Sequence, residues 1–335
     1  MKAIVWQGPE RMTIEERPDP PDPVPGDVIL RPEAVGICGS EIEGYLGHMG
    51  NRTPPLVMGH EFAGTVVAAG EGAEEWVGRR VAVNPIESCG ECKLCRAGQE
   101  NLCPQRTLIG IHSSGAFADL VRAPAANARE LPDGVSARVG ALVEPLANGV
   151  HAVRLGLDGF EVERAVVLGA GTIGLVTLQA ARLAGIPYVG VLELQEQRRA
   201  QALALGADAV FGDVADAIGG ADLVLDAVGA QATRAAALEL LRPGGRAVYV
   251  GLAADDTTLG FHDVVRRQLT LRGSYAYTMA DYDQAHRWLV GGQASLGDLP
   301  DVLPLEDGPQ MFARLAKGPP PAQVKVFLAG AGRGA

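Results

Sequence analysis

The stretch from Val166 to Glu193 restricts the fold of this chain more than any other. It begins with an apolar β run, Val166-Val167-Leu168, followed by the turn Gly169-Ala170-Gly171-Thr172-Ile173-Gly174. A helical segment then runs to Leu183, and a second β run, Val189-Gly190-Val191-Leu192-Glu193, closes the unit. Strand, Gly-x-Gly-x-x-Gly turn, helix and strand make one βαβ unit. The first glycine permits the tight turn, the second lets backbone approach a pyrophosphate, and the third lets helix and strand pack closely. Free N–H groups and the positive dipole end at the helix start then receive phosphates. Glu193 follows the turn by about 20 residues, where an acid accepts hydrogen bonds from the adenosine ribose. Gly169, Gly171, Thr172, Ile173, Gly174 and Glu193 are therefore candidate dinucleotide contacts.

The βαβ pattern continues on either side. Strands are expected at Ala165–Leu168, Tyr188–Leu192, Ala209–Phe211, Leu223–Asp226, Arg246–Val250 and Leu269–Gly273, with helices such as Ile173–Leu183 and Glu196–Leu205 between them. Continuous apolar strands separated by helices predict a doubly wound parallel sheet, an α/β fold over residues 146–289. The ends of the later strands, Asp226-Ala227-Val228-Gly229 and Val250-Gly251-Leu252, fall at the carboxyl edge where such sheets bind ligands. An amphipathic helix is expected over Asp281–Val290, with Tyr282, Ala285, Trp288 and Leu289 near one face as core packing or a subunit contact.

With 335 residues, two domains are the better expectation. Residues 1–145 read mainly as short strands broken by Gly and Pro, for example Val28–Arg31, Phe62–Ala69, Arg80–Asn84 and Phe117–Ala123, which predicts a barrel-like β domain. A last strand, Gln323–Leu328, is expected to rejoin it. A net charge of −11 and scattered basic residues argue against nucleic-acid or anionic-membrane partners. No apolar run reaches membrane-spanning length, and the N-terminal run resembles a strand rather than a signal peptide, so a cytoplasmic protein is the expectation.

Four of the five cysteines are clustered as Cys89-x2-Cys92-x2-Cys95-x7-Cys103. In a reducing compartment this spacing points to metal rather than disulfide, and four thiolates suit a tetrahedral structural zinc. An iron–sulfur cluster is the rival reading, but nothing else in the chain points to electron transfer. Two further segments, Gly36-Ile37-Cys38-Gly39-Ser40-Glu41 and Gly59-His60-Glu61-Phe62-Ala63-Gly64, join Val143-Glu144-Pro145-Leu146 in a second pattern. Cys38, His60 and Glu144 offer a thiolate, an imidazole and a carboxylate. Three protein ligands leave a fourth position open, as in a catalytic zinc site.

These motifs, together with Leu-Arg-Gly-Ser at 271–274, resemble the zinc-dependent medium-chain dehydrogenase/reductase (alcohol dehydrogenase) family, in its polyol, threonine and secondary-alcohol branch. The resemblance covers almost the whole chain. It implies a GroES-like β-barrel catalytic domain over 1–145 and 290–335, with a structural-zinc lobe at 86–104, a Rossmann domain over 146–289, and an active-site cleft between them. It implies one catalytic and one structural zinc per subunit. Cys38, His60 and an acid would hold the catalytic ion; Glu144 is the first choice and Glu61 the second, since this glutamate can itself be a ligand or trade places with water. Ser40 falls where the family takes the substrate proton. Many members continue Ser-Asp-x-His, whereas this chain has Ser40-Glu41-Ile42-Glu43, so the proton exit falls to Glu43, to His48 or to water. Arg198 matches an arginine near the adenine-ribose end, Val250, Gly251, Leu252, Ser274 and Tyr275 would line the nicotinamide half, and Val228 is a further expected cofactor contact. Glu193 would repel a 2′-phosphate, favouring NAD over NADP, although Arg198 and Arg199 could meet that phosphate. The implied activity is hydride transfer between an alcohol and NAD, in a homotetramer or homodimer. Asn148, Glu43 and Arg52 add polarity that favours a polyhydroxy substrate. A threonine-type amino alcohol, a metal-free quinone or enone reductase and a non-catalytic scaffold are the alternatives.

Overall fold

The structure, a computed structural model, describes residues 1–217, 219–318 and 324–330. Contacts divide the chain into two units, one comprising Met1–Glu144 with the chain from Asp298 onward, the other Pro145–Gly297. The division falls inside the helix Val143–Leu157.

In the first unit the central strand Asp27–Gly36 is buried along nearly its whole length, as a strand covered on both faces must be. It lies between Glu61–Ala69 and Phe327–Ala329, antiparallel to both, and also pairs with Val121–Pro124. The sheet continues through Arg80–Val83 to Ala128–Glu130 at one end and through Val302–Pro304 at the other. The core beneath it contains Ile4, Trp6, Leu30, Phe62, Val66, Phe117 and Phe312. Phe117 and Phe312 meet edge to face at 5.6 Å, a geometry that suits the aromatic quadrupole. Strand register places Gly36 opposite Glu61 on one side and opposite Phe327 on the other.

Two departures from the expected strands matter. The strand expected at Phe117–Ala123 forms only over Val121–Pro124, because Phe117 is engaged elsewhere: its N–H donates to Met58 O at 3.0 Å and its carbonyl accepts from Ile4 N at 2.8 Å. The last strand is Phe327–Ala329, later than expected, and Gln323 lies outside the described residues. The β-rich unit also contains helices, notably Gly39–Leu46 and Gly308–Lys317. Gly39–Leu46 starts where the Glu41 carboxylate accepts the Cys38 N–H at 3.0 Å, a capping contact, and stops at Gly47 in the left-handed conformation with φ +83°.

The second unit is a six-stranded parallel sheet in the order Ala209–Phe211, Tyr188–Leu192, Arg164–Leu168, Ala221–Asp226, Leu241–Tyr249, Thr270–Gly273. The chain reverses its direction of travel across the sheet between Arg164–Leu168 and Ala221–Asp226. That switch point is where doubly wound sheets receive nucleotides. Helices Thr172–Leu183, Glu196–Ala204 and Gln231–Leu240 connect the strands. Helix Met279–Val290 begins with Thr278 and Asp281 capping each other, and it buries Tyr282, Ala285 and Leu289. Asp281 reaches across to helix Val143–Leu157, where it meets His151 Nδ1 at 2.7 Å and Arg154 Nε at 2.7 Å. Among the described residues no helix is long and apolar enough to cross a membrane.

Candidate functional site

Cys38, His60 and Glu61 each offer one ligand atom, all within 4.8 Å of one another. Cys38 caps the helix Gly39–Leu46, and His60 and Glu61 stand where the strand Glu61–Ala69 begins. Gly59 makes that entry possible: its φ of +105° favours glycine, and a Cβ there would lie 2.7 Å from Phe117 N. Sulfur, imidazole nitrogen and carboxylate oxygen together are the donor set of a zinc ion with a position left open. Glu144, buried in the first turn of its helix, stands outside this group of three.

Glu41 organises the ligands from behind. It is fully buried, with Oε1 accepting from Gly59 N at 2.9 Å and from His60 Nδ1 at 2.9 Å while Oε2 accepts from Cys38 N. A carboxylate on Nδ1 leaves Nε2 as the ligand atom, the usual arrangement behind a metal-bound histidine. Burial works against both charges. It tends to lower the His60 pKa, but Glu41 and Cys38 override it and raise His60 well above its ordinary value. It tends to raise Glu41, and His60 together with the Cys38 N–H brings Glu41 below its ordinary value. The sequence pattern assigned Glu41 no role. The signal available was its place three residues after Cys38, one turn into a helix.

Lys325 was also missed. Fully buried, it forms an ion pair with Glu61 Oε2. Desolvation lowers its pKa, yet Glu61 first, then Cys38 and Glu144, turn the balance and raise it. Gly36 leaves the space for this pair, since a Cβ there would meet both Glu61 Oε2 and Lys325 Cε.

Ser40 Oγ donates to Cys38 Sγ at 3.3 Å and accepts from Arg52 Nη2 at 3.4 Å. Glu43, on the same helix, pairs with His48 Nδ1 at 2.8 Å in an exposed position, so two of the three alternatives for proton exit are one contact.

The second cysteine group packs its sulfurs at 3.4 Å for Cys92–Cys95, 3.5 Å for Cys89–Cys103 and 3.8 Å for Cys89–Cys95. These separations are too long for a disulfide, whose sulfurs bond at about 2.05 Å. Zinc–sulfur bonds of about 2.3 Å in a tetrahedron place sulfurs about 3.8 Å apart, so the donor set fits that ion. Backbone N–H groups of Cys95 and Gln105 point at Cys92 and Cys103 sulfurs, both at 3.4 Å.

In the second unit the glycine turn shows why each glycine is there. Gly169 has φ +87°, and a Cβ on it would strike Val228. A Cβ on Gly174 would strike the Gly169 carbonyl, so helix and turn could not close. Gly171 faces open space, with only Arg198 Nη1 3.9 Å from its ideal Cβ, which leaves a cradle for an approaching phosphate. Thr172 and Ile173 open the helix behind it. Glu193 is pinned by Ala170 N at 2.9 Å and Gln195 N at 2.8 Å, one on each oxygen, and each oxygen keeps a second lone pair for a ribose hydroxyl. Arg199 is committed to the carbonyls of Glu193 and Leu194 at 2.8 and 2.7 Å. At the neighbouring strand ends, Asp226 Oδ1 accepts from Val228 N and Gly229 N, both at 2.9 Å, and Gly229 packs on Gly251 too closely for any side chain. Val250 N and Gly251 N bond back to Asp226 O, and Ser274 N bonds to Tyr249 O, so these loops form one edge. Leu252 and Tyr275 on that edge are exposed.

Comparison with known proteins agrees with these features. Residues 24–133 match the alcohol dehydrogenase GroES-like domain, and residues 172–291 match the zinc-binding dehydrogenase domain. A sorbitol dehydrogenase of Arabidopsis thaliana is 36% identical over 275 residues, covering 76% of this chain and 74% of the relative. A zinc-binding dehydrogenase from Sinorhizobium meliloti 1021, solved with NADP, superposes with a TM-score of 0.88 at 32% identity over 98% of each chain. Acetophenone reductase from Geotrichum candidum NBRC 4597, solved with NAD, gives a TM-score of 0.88 at 28% identity, covering 98% of this chain and 96% of that one.

Proposed function

The chain belongs to the zinc-dependent alcohol dehydrogenase family, an oxidoreductase family acting on alcohols, and from that premise we propose that it is an NAD-linked dehydrogenase of polyols or sugar alcohols. The observation that carries this reading is the hydroxyl of Ser40, 3.3 Å from the sulfur of Cys38, which itself shares a 4.8 Å cluster with His60 and Glu61. In this reading Cys38 and His60 hold the catalytic zinc with a carboxylate from Glu61 or Glu144, and the four-cysteine lobe holds a second ion. When bound, zinc supplies Lewis acidity that lowers the pKa of an alcohol, and the nicotinamide supplies the hydride acceptor.

The remaining work belongs to the chain. Ser40 takes the proton of the substrate hydroxyl, with Arg52 fixing the orientation of its oxygen. The exposed Glu43–His48 pair exchanges that proton with solvent. Glu41 keeps His60 in the tautomer that presents Nε2. The Lys325 ammonium pairs with the Glu61 carboxylate and supplies its counter-charge in a buried site.

NAD is favoured over NADP because Glu193 sits where a 2′-phosphate would bring a second negative charge. Arg199 is engaged by backbone carbonyls, which supports the same preference. The Sinorhizobium relative carries NADP, so cofactor choice is the point to test. Steady-state reduction of NAD and NADP with a panel of sugar alcohols and secondary alcohols, with and without a chelator, tests the whole reading. NAD reduction by a sugar alcohol, lost on chelation, is expected. Chelator-insensitive reduction of quinones or enones by NADPH would overturn it. Light scattering in the same buffer tests the proposed homotetramer or homodimer.

A further inference from the structure

We propose that Arg234, together with Gln231, is a positioning residue for the nicotinamide half of the cofactor and acts through Leu252; this rests on the reading of the chain as an NAD-linked dehydrogenase. Leu252 is 63% exposed at the carboxyl edge of the parallel sheet. A large apolar side chain held in water at such an edge is stabilised when a ligand ring covers it. Its place is tied to the glycine turn through Val228. Gly169 packs on the Val228 side chain and Gly251 on the Val228 backbone, each too closely for a Cβ. Val228 thus lies between the phosphate-binding turn and the residue that precedes Leu252.

Leu252 opens a segment, 252–260, that contains neither helix nor strand, so no ladder of its own holds it. The hold comes from the first two turns of helix Gln231–Leu240. Gln231 Nε2 donates to Thr258 O at 2.9 Å, and its Oε1 accepts from Thr258 N at 2.7 Å. One amide side chain thereby takes both backbone groups of one residue, as a neighbouring strand would. Arg234 Nη2 donates to Ala254 O at 2.7 Å, and its Nη1 donates to Thr257 Oγ1. Bonds from a guanidinium are stronger than those between neutral groups. The helix start is itself anchored. Asp226, fully buried, accepts from Thr233 Oγ1 at 3.0 Å, and that oxygen accepts from Ala230 N at 3.0 Å. Ala253 N and Ala254 N complete the strap, donating to Val228 O at 3.2 Å and Gly229 O at 3.0 Å.

Plain stapling of a surface loop is the competing use of these two side chains. Arg234 bonds to a backbone carbonyl and a hydroxyl, although the same segment carries the exposed acids Asp255 and Asp256. An ion pair with an exposed acid would fix only a side-chain tip, whereas a bond to a carbonyl fixes main chain. The main chain fixed here begins two residues after Leu252. Its position therefore decides where the Leu252 side chain stands against a nicotinamide ring.

The test compares NADH with ADP-ribose, which lacks the nicotinamide. NADH binding is read by the rise and blue shift of its fluorescence, and ADP-ribose binding by calorimetry. Arg234→Met should weaken NADH binding by about tenfold and reduce the blue shift, while ADP-ribose affinity stays within about twofold of the parent. Arg234→Lys, which keeps the charge but not the planar fork, should recover part of the loss. Gln231→Leu, at an exposed position, should act in the same direction more weakly, and keeps the test alive if Arg234→Met fails to fold. Leu252→Ala should weaken NADH binding as well, and combining it with either strap variant should add little, because both act on one contact. NADH binding unchanged in both strap variants, equal losses for NADH and ADP-ribose, or losses that add fully in the double variants would overturn the proposal. A wild-type protein that binds neither ligand would remove the dehydrogenase reading itself, an outcome distinct from any of these.

Discussion

Lys325 and Glu61 form an ion pair with side chains only 2% and 1% exposed, at the edge of the candidate metal cluster. The pair exists because Gly36 stands between two partners in register, Glu61 on one strand and Phe327 on the other. Two charges in so dry a place stabilise one another only while both remain. Removing one leaves the other without a counter-charge, which costs about 3–5 kcal/mol in buried pairs. Lys325→Met should therefore lower the unfolding free energy by an amount of that order in urea titrations. Adding Glu61→Leu should recover much of it. A Lys325→Met protein as stable as the parent would show the pair to be dispensable.

Glu41→Gln should act on His60 rather than on the fold. An amide still accepts a hydrogen bond but carries no charge, so the main influence raising the His60 pKa disappears. The imidazole of the metal-free protein should then titrate at lower pH, visible by NMR. Zinc affinity of that site should fall by about 10–100-fold, as for other partners of metal-bound histidines. The four-cysteine lobe should keep its ion.

The two cysteine substitutions should separate chemistry from stability. Cys38→Ser should abolish alcohol oxidation and leave NAD binding measurable by fluorescence. Cys95→Ser should lower the unfolding temperature and the metal content by one ion per chain. Loss of both ions from Cys95→Ser would mean that the two sites are not independent.

Acid sensitivity should trace partly to Asp281. Burial tends to raise its pKa, but hydrogen bonds from His151, Arg154 and Thr278 hold it far below the ordinary aspartate range. A group depressed in the folded state stabilises fully above its unfolded pKa, about 3.9 for aspartate, and loses that contribution as pH falls below it. Asp281→Asn should lower stability at neutral pH and flatten the decline below pH about 4. An unchanged acid limb in that variant would assign the sensitivity elsewhere.

Much of the fold was legible because its determinants are local. The glycine at 174 is set by a contact within the turn itself, the Gly169 carbonyl, and the run of cysteines from 89 to 103 closes on itself within one loop. Alternating apolar strands and helices led to the parallel sheet, and its observed strands lie within a few residues of those expected, apart from Leu241–Tyr249, which starts five residues early. The helix at Gly39–Leu46 was hidden among short strands, because its signals are a capping glutamate and a terminal glycine rather than an apolar stripe. Glu41 went unassigned for the same reason. Its value lies in where its two oxygens point, and a buried carboxylate reads in sequence like any surface glutamate.

Residue types and spacing alone determined that this chain forms a nucleotide-type parallel sheet and carries a four-thiolate lobe. Each of these rests on backbone periodicity or on neighbours within a turn, and such short-range physics is written directly into the order of residues. Only the tertiary structure decided that Lys325 faces Glu61, that Arg52 lies over Gly44 to reach Ser40, and that Asp281 locks His151 and Arg154. These contacts join segments distant in the chain through strand register and close packing, and electrostatic partners brought together in that way leave no periodic trace in sequence.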